Sequence, residues 1–381
     1  MTTRTPLLVI GAGPYALSAA ALAREYGIGT VVVGRPMGFW REHMPAGMFL
    51  RSGIDWHLDA SGTHTLAAFL EMRGVAADEV DPMPINVFLD YAEWFRREKG
   101  IEPRHQLVTN LVERDGRFLA SLDNGERIVA DAVVAAPGVR YFTQVPVWAG
   151  SVPRERATHT CELIRFQDMS GARVVIVGGR QSAYEWAALL AEHDAERIDI
   201  VHRHDSPRFD RVSWRFVDTY VESTVRISGW WRHLSTVERD AIALRFWQAG
   251  RLTLEYWLAP RLASPAIHRW PGTEVIEVDP VRRDNGLRLR LSNGQHLVAD
   301  HVIFATGYRV DLARVPYLAG VLNRIATKDR FPILDDTFTA SLPGLYLPGF
   351  TATADFGPFF GFVKGAPAAA RLIVKDLSTR P

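Results

Sequence analysis

A single cysteine, Cys161, stands in 381 residues. That one count excludes an internal disulfide, a Cys-x-x-Cys redox pair and a cysteine-rich metal site. No metal centre is expected. Charge is balanced too: 44 Lys and Arg face 43 Asp and Glu, for a formal net charge of +1. The whole chain gives no electrostatic reason to expect nucleic acid or an anionic membrane as a partner. No run of 18 or more apolar residues occurs, so no membrane span is expected. The apolar run Leu7–Ile10 is too short for a signal-peptide core, and the expected location is cytoplasmic.

What remains is a soluble globular chain, 47% hydrophobic and 23% charged, long enough for two or three domains. Leu7–Ile10 reads as a buried parallel strand, and Gly11, Ala12, Gly13 and Pro14 follow at once. Small and apolar residues from Tyr15 to Tyr26 suit a helix packed closely on a sheet. Thr30–Gly34 reads as a second buried strand. Strand, glycine turn, helix and strand make a βαβ unit. Helices are predicted over 66–73 and 87–99. Alternating segments at 107–113, 117–122 and 127–135, with an Asn124-Gly125 turn, predict a small antiparallel insert that returns to a buried strand.

The arrangement recurs. Residues 173–192 and 197–203 form a second strand–turn–helix–strand unit, and 288–308 repeat strand, Asn-Gly turn, strand and buried strand. The fold class is therefore α/β, with two Rossmann-like, three-layer ββα dinucleotide-binding modules and hairpin inserts. Residues 207–270, rich in Trp, Phe, Arg and Tyr, read as helices and loops rather than sheet. A terminal helix is predicted to begin near Phe362.

Gly11, Gly13 and Ala16 supply the G-x-G-x-x-G/A pattern, in which glycine permits a tight turn and backbone approach to a pyrophosphate at a helix N-terminus. Pro14 and Tyr15 lie inside it. The second strand ends in Gly34 and Arg35 where an acid normally meets ribose; Arg35 or Glu42 could serve instead. In the second unit, Gly178, Gly179, Arg180, Gln181, Ser182 and Ala183 stand in register, with Arg180 replacing the middle glycine. Its Cβ could crowd a dinucleotide, or its guanidinium could pair with a phosphate. Arg203 sits where the 2′-phosphate of NADP could be met.

Further candidates are Thr306 and Gly307 after the strand His301–Phe304, Gly349, and the aromatic stretch holding Asp355 and Phe360. The irregular segment 35–65 is a candidate functional loop with Phe39, Trp40, Arg51, Asp55 and His57. Asp55, His57 and the junction residue His159 are acid–base candidates or structural hydrogen-bonders. Cys161 reads as buried and inert. The aromatic region containing Trp214, Trp230, Trp231, Phe246, Trp247 and Trp257 is a core, a lid, a pocket or a dimer face.

These motifs resemble those of the class B flavoprotein monooxygenases, which include flavin-containing monooxygenases, N-hydroxylases and Baeyer–Villiger enzymes. Gly11–Leu17 looks like their FAD fingerprint, and Val174–Glu185 like the NADPH fingerprint of the N-hydroxylase branch with Arg180 substituted. Ala305–Tyr308 matches the linker motif and Pro343–Phe350 the closing FAD motif. Residues 37–59 are similar to a bacterial subgroup described as FAD-dependent urate hydroxylases. The resemblance implies FAD, with NADPH or NADH as electron donor. FAD would lie on 1–150 and 300–381, and the nicotinamide on 165–299 with an insert at about 207–270.

It also implies hydroxylation of a small aromatic or nitrogen-containing substrate by dioxygen through a C4a-hydroperoxyflavin. Arg51, Asp55, His57 and His159 would be the catalytic candidates, with Arg51 meeting a substrate anion. Two alternatives stay open: a flavin oxidoreductase with another electron partner, and a flavin-bound interaction protein in which Arg180 has closed the second site. A homodimer through the aromatic patch is also left open.

Overall fold

Leu7–Ile10 is the inner end of the strand Thr2–Ile10 in the computed structural model, which describes residues 2–250, 252–281 and 286–380. Its wholly apolar sequence follows from its place. Thr30–Val33 pairs with it on one side and Arg127–Ala135 on the other, both parallel, so both faces need cover. Arg127–Ala135 divides its far edge between two partners. Its first half pairs antiparallel with Arg117–Leu122, and its second half takes Leu345–Tyr346 in parallel. The hairpin Val108–Arg114/Arg117–Leu122 thus continues the parallel sheet. The helices Pro14–Glu25 and Ala366–Thr379 bury alanine-rich faces, including Ala16, Ala19, Ala20, Ala368, Ala369 and Ala370.

The second module has a five-stranded parallel sheet in the order Ile267–Trp270, Arg197–Val201, Arg173–Val177, His301–Phe304, Ala157–His159. Gln181–Glu192 is its helix. Here the antiparallel insert, Val275–Val281, Gly286–Leu291 and His296–Ala299, is a separate sheet. Asp300 marks the break. Its carboxylate accepts the Arg173 amide at 2.9 Å and the Arg173 guanidinium at 2.8 and 3.1 Å.

The two modules close in the same way. The Gly11 amide donates to Val33 and the Ala136 amide to Ile10, while Gly178 donates to Val201 and Ala305 to Val177. Gly11 has φ 111° and Gly178 has φ 135°. A Cβ on Gly11 would lie 2.7 Å from the Ala136 carbonyl oxygen, and one on Gly178 would collide with that of Ala305.

Residues 207–270 correct the expectation of helices and loops alone. Helices Phe216–Arg226 and Thr236–Gly250 are present. So is a short parallel ladder between Arg208–Asp210 and Thr253–Glu255, and Ile267–Trp270 is the edge strand of the second sheet. An edge strand keeps polar residues such as Arg269 exposed, which hides it from a search for apolar runs. The insert straddles both modules: Trp214, Trp231 and Phe246 join the first core, and Leu254, Leu258 and Leu262 the second.

The terminal helix begins at Ala366, after single turns at Pro358–Gly361 and Val363–Gly365. Among the described residues no helix is long and apolar enough to cross a membrane, and no cluster of His, Cys, Asp and Glu could hold a metal.

Gly11→Ala and Gly178→Ala should each lower the unfolding free energy by roughly 2 kcal/mol or more, from left-handed strain plus a backbone collision. Chemical denaturation checks this, and an unchanged midpoint in either variant would contradict the contact.

Candidate functional site

Gly13 opens the first helix in an ordinary extended conformation, φ −88° and ψ −172°, and a Cβ there would meet nothing within 4 Å. Glycine is therefore not required by the backbone. It leaves open space before a helix whose first residue is Pro14 and whose start has no side-chain cap. The orphan amides and positive end of the helix face that space. These features fit a pyrophosphate, and Gly138 on the neighbouring strand end is equally unobstructed.

Tyr15 turns away from this opening. Its hydroxyl lies 2.6 Å from the Phe360 carbonyl and 2.8 Å from that of Phe362, and its ring packs under Gly349. Burial pushes its pKa well above the ordinary tyrosine value. Ala16 is buried. Gly34, at φ 143°, packs on the Gly11 backbone, where a Cβ would stand 3.1 Å away. Arg35 donates to Glu42 at 2.6 Å. Phe39 packs on His43, and Trp40 on Phe88 at 4.9 Å.

Arg180 occupies the equivalent of Gly13, at φ −108° and ψ −175°, opening Gln181–Glu192 without a side-chain cap. Its guanidinium lies over the Trp247 ring, 4.4 Å from the centroid. A Cβ on Gly179 would collide with the His202 ring. His202 Nδ1 donates to the His204 carbonyl at 2.9 Å, and Nε2 lies 3.0 Å from the Tyr184 hydroxyl. Burial lowers the His202 pKa. Gln181 accepts the Glu255 amide and donates to Glu185. Ser182 and Arg203 are exposed.

Thr306 donates its hydroxyl to the Gln144 carbonyl. Gly307, at φ 78°, has open space on its Cβ side. Its carbonyl accepts the Gln144 amide at 3.0 Å and lies 3.1 Å from His159 Nε2. A carbonyl only accepts, so Nε2 carries the proton and Nδ1 accepts from the Cys161 amide and thiol, at 3.4 and 3.3 Å. His159 is buried with both ring nitrogens engaged, and burial lowers its pKa. It ties the end of the strand Ala157–His159 to the turn that follows His301–Phe304. Burial likewise pushes the Cys161 thiol up, away from thiolate.

In the loop, Arg51 is fully committed. Nε donates to Glu255 at 2.8 Å, Nη1 to the Gly250 carbonyl at 2.6 Å and Nη2 to the Thr253 carbonyl at 3.1 Å, with Trp214 beneath. Burial lowers the Arg51 pKa and raises that of Glu255. The guanidinium is thus engaged by the insert rather than presented to an anion. Asp55 pairs with Lys364 at 2.9 Å, and Lys364 also meets Asp218 at 2.9 Å. His57 Nδ1 is buried with no partner, and its pKa is lowered by burial and by Lys364.

Asp59, Glu255 and Lys364 shape this region, although no motif singles them out. Asp59 is 2% exposed. It accepts the His64 amide at 2.6 Å and the Thr63 amide at 2.9 Å, and pairs with Lys99 at 2.9 Å. Burial alone would raise its carboxyl; the His64 amide, the Lys99 ammonium and the Ser61 hydroxyl outweigh it and hold the pKa at about 2. The run Asp59-Ala-Ser-Gly-Thr is the one sequence signal for such a carboxylate-centred turn.

Asp355 accepts the Leu334 amide at 2.8 Å. Phe360 is core, against Phe338, Phe356 and Phe359. The rings of Trp56, Trp214, Phe246 and Phe362 pack on one another, with centroids of the contacting pairs 5.4 to 6.2 Å apart.

Residues 5–239 match the family described as pyridine nucleotide-disulphide oxidoreductase. The FAD-dependent urate hydroxylase of Xanthomonas campestris is 27% identical over 328 residues, 82% of this chain and 64% of that protein. The chain therefore spans less than two thirds of that relative. The probable indole-3-pyruvate monooxygenase YUCCA8 of Arabidopsis thaliana is 24% identical over 94% of this chain and 87% of its own. Among solved structures, an ornithine N-hydroxylase of Kutzneria sp. 744 superposes with a TM-score of 0.82 at 16% identity, covering 98% of this chain and 99% of that one. That likeness is one of fold.

Gly13→Ala should fold as stably as wild type, because its Cβ meets nothing, yet retain FAD roughly tenfold less well. Thermal melts and flavin content after dialysis check the two halves. Asp59→Asn should cost about 2 kcal/mol at neutral pH. The folded pKa lies below the unfolded one. The stabilisation is therefore full above about pH 4 and is lost as pH falls through about 2. Denaturation curves of both proteins across that window should converge; a gap independent of pH would contradict the carboxylate's role.

Proposed function

Because the chain belongs to the pyridine nucleotide-disulphide oxidoreductase family, we propose that it is an FAD-dependent, NAD(P)H-driven monooxygenase hydroxylating a small aromatic or nitrogen-containing substrate, with urate the first candidate. One observation carries this reading. Two equivalent strand–turn–helix cradles stand in a chain whose lone thiol is buried and held as a neutral group. Electrons from a pyridine nucleotide have no dithiol to enter, which favours dioxygen as acceptor. Bound FAD supplies hydride acceptance and oxygen activation.

The chain's own residues then have assignable tasks. Gly13 and the helix behind it hold the FAD pyrophosphate, and Tyr15 fixes the segment 349–365 over that helix. The packed rings of Trp56, Trp214 and Phe246 exclude water behind Phe362, the exposed ring of the group and the one offered to a planar substrate. Lys364, held between Asp55 and Asp218, is the cation that acts most strongly on His57. His57, kept neutral by burial, can take a substrate proton at Nδ1. The urate suggestion rests on the activity of the Xanthomonas relative and on this aromatic group.

Arg180 favours a second reading, a flavoprotein whose nicotinamide site is obstructed and whose electrons come from another partner. An anaerobic titration separates the two. Prompt bleaching of the flavin band by NADPH or NADH is expected, followed on admission of oxygen by consumption of urate in step with nucleotide. Bound flavin that neither nucleotide bleaches would replace the first reading with the second. Bleaching with only hydrogen peroxide formed, across urate and aromatic amines, would remove the monooxygenase assignment.

A further inference from the structure

We propose that Arg180, held in place by Trp247, makes the pyrophosphate contact at the second cradle, so that the aromatic insert is part of the dinucleotide site. The inference rests on reading that cradle as the nicotinamide site. Arg180 and Gly13 share one backbone conformation at the mouths of equivalent helices. The fold therefore tolerates either residue, and the difference lies in what the opening presents to a ligand. A side chain at this point stands beside the helix start, and its guanidinium lies over the Trp247 ring, 4.4 Å from the centroid. A guanidinium stacked on a ring keeps its N–H groups in its own plane, the geometry that grips phosphate oxygens.

The platform is fixed. Arg51 donates to the carbonyls of Gly250, the last residue of the helix that carries Trp247, and of Thr253 just beyond it. Gln181, the first residue of the cradle helix, accepts the Glu255 amide at 3.2 Å. The insert is thereby tied to the cradle next to the Arg180–Trp247 stack. Trp247 is a positioning residue here; Arg180 is the phosphate contact.

The test is calorimetric binding of ADP-ribose, which carries the pyrophosphate, and of adenosine, which lacks it, to the FAD-loaded protein. Arg180→Gly should weaken ADP-ribose roughly tenfold or more while leaving adenosine unchanged, and should flatten the salt dependence of ADP-ribose binding. Trp247→Ala should weaken ADP-ribose severalfold, and Trp247→Phe should recover most of the loss. Circular dichroism and retained flavin confirm that each variant is folded. If Arg180→Gly binds ADP-ribose as well as or better than wild type, the arginine is an obstacle and the proposal falls, while the nicotinamide reading stands. Equal losses for both probes, or no rescue by Trp247→Phe, also overturn it. If the wild-type protein binds no ADP-ribose and neither nucleotide reduces its flavin, the nicotinamide reading itself fails and takes the proposal with it.

Discussion

The approach of a glycine Cα to the carbonyl of the neighbouring strand end is the contact on which both modules depend. At Gly11 and Ala136, and again at Gly178 and Ala305, one strand turns into a helix while the adjacent strand ends against the turn. Any side chain there would force the two apart. Closing them brings the helix mouth level with Gly138 in one module and Gly307 in the other, both with open space on their Cβ side. The cofactor surfaces are the outer face of that closure, so an error of an ångström at the glycine would be passed directly to the cradle.

Most buried polar groups around these cradles serve the frame. Arg51 with Glu255, Asp59 with Lys99, and Glu185 with Arg261 are ion pairs with at least one deeply buried partner, each completed by further hydrogen bonds. Removing one partner of such a pair leaves an uncompensated buried charge, so they hold geometry more than they add net stability. Burial lowers the pKa of both His159 and His202, against the opposing pull of the carbonyl that each meets. His57, with Lys364 acting on it, remains the proposed acid–base group of the loop.

The backbone plan was legible because it is written locally. Apolar runs ending in glycine, Asn-Gly turns and alternation in the hairpins specify strands and their order without knowledge of distant contacts. The failures share a cause. Ile267–Trp270 is a strand because Ile198 and its neighbours offer an edge, and nothing in its own four residues says so. Arg51 looked like a free anion contact until the insert brought Glu255 to it across 204 residues of sequence. Lys364 reaches Asp55 across 309. His159 reads as a proton shuttle in isolation; the Gly307 carbonyl, 148 residues away, settles its tautomer and engages it. Local pattern predicts elements, but the state of a titratable group is set by whatever tertiary packing puts opposite it.

The comparison of Gly13 with Arg180 carries the argument one step further. A glycine in a turn can be required by a positive φ, by a close neighbour, or by a ligand. Gly11 and Gly178 are held by the first two. Gly13 has neither constraint, and the same backbone at Arg180 shows that the fold accepts a side chain there, which leaves the glycine to the proposed ligand. A position where the fold is indifferent and the two halves of one chain differ is where ligand recognition has diverged. In the proposed reading the first cradle meets phosphate with bare backbone. The second sets a cation over an indole from an insert that the first module lacks, and the proposal thereby ties recognition at the second cradle to the aromatic core in which the insert is packed.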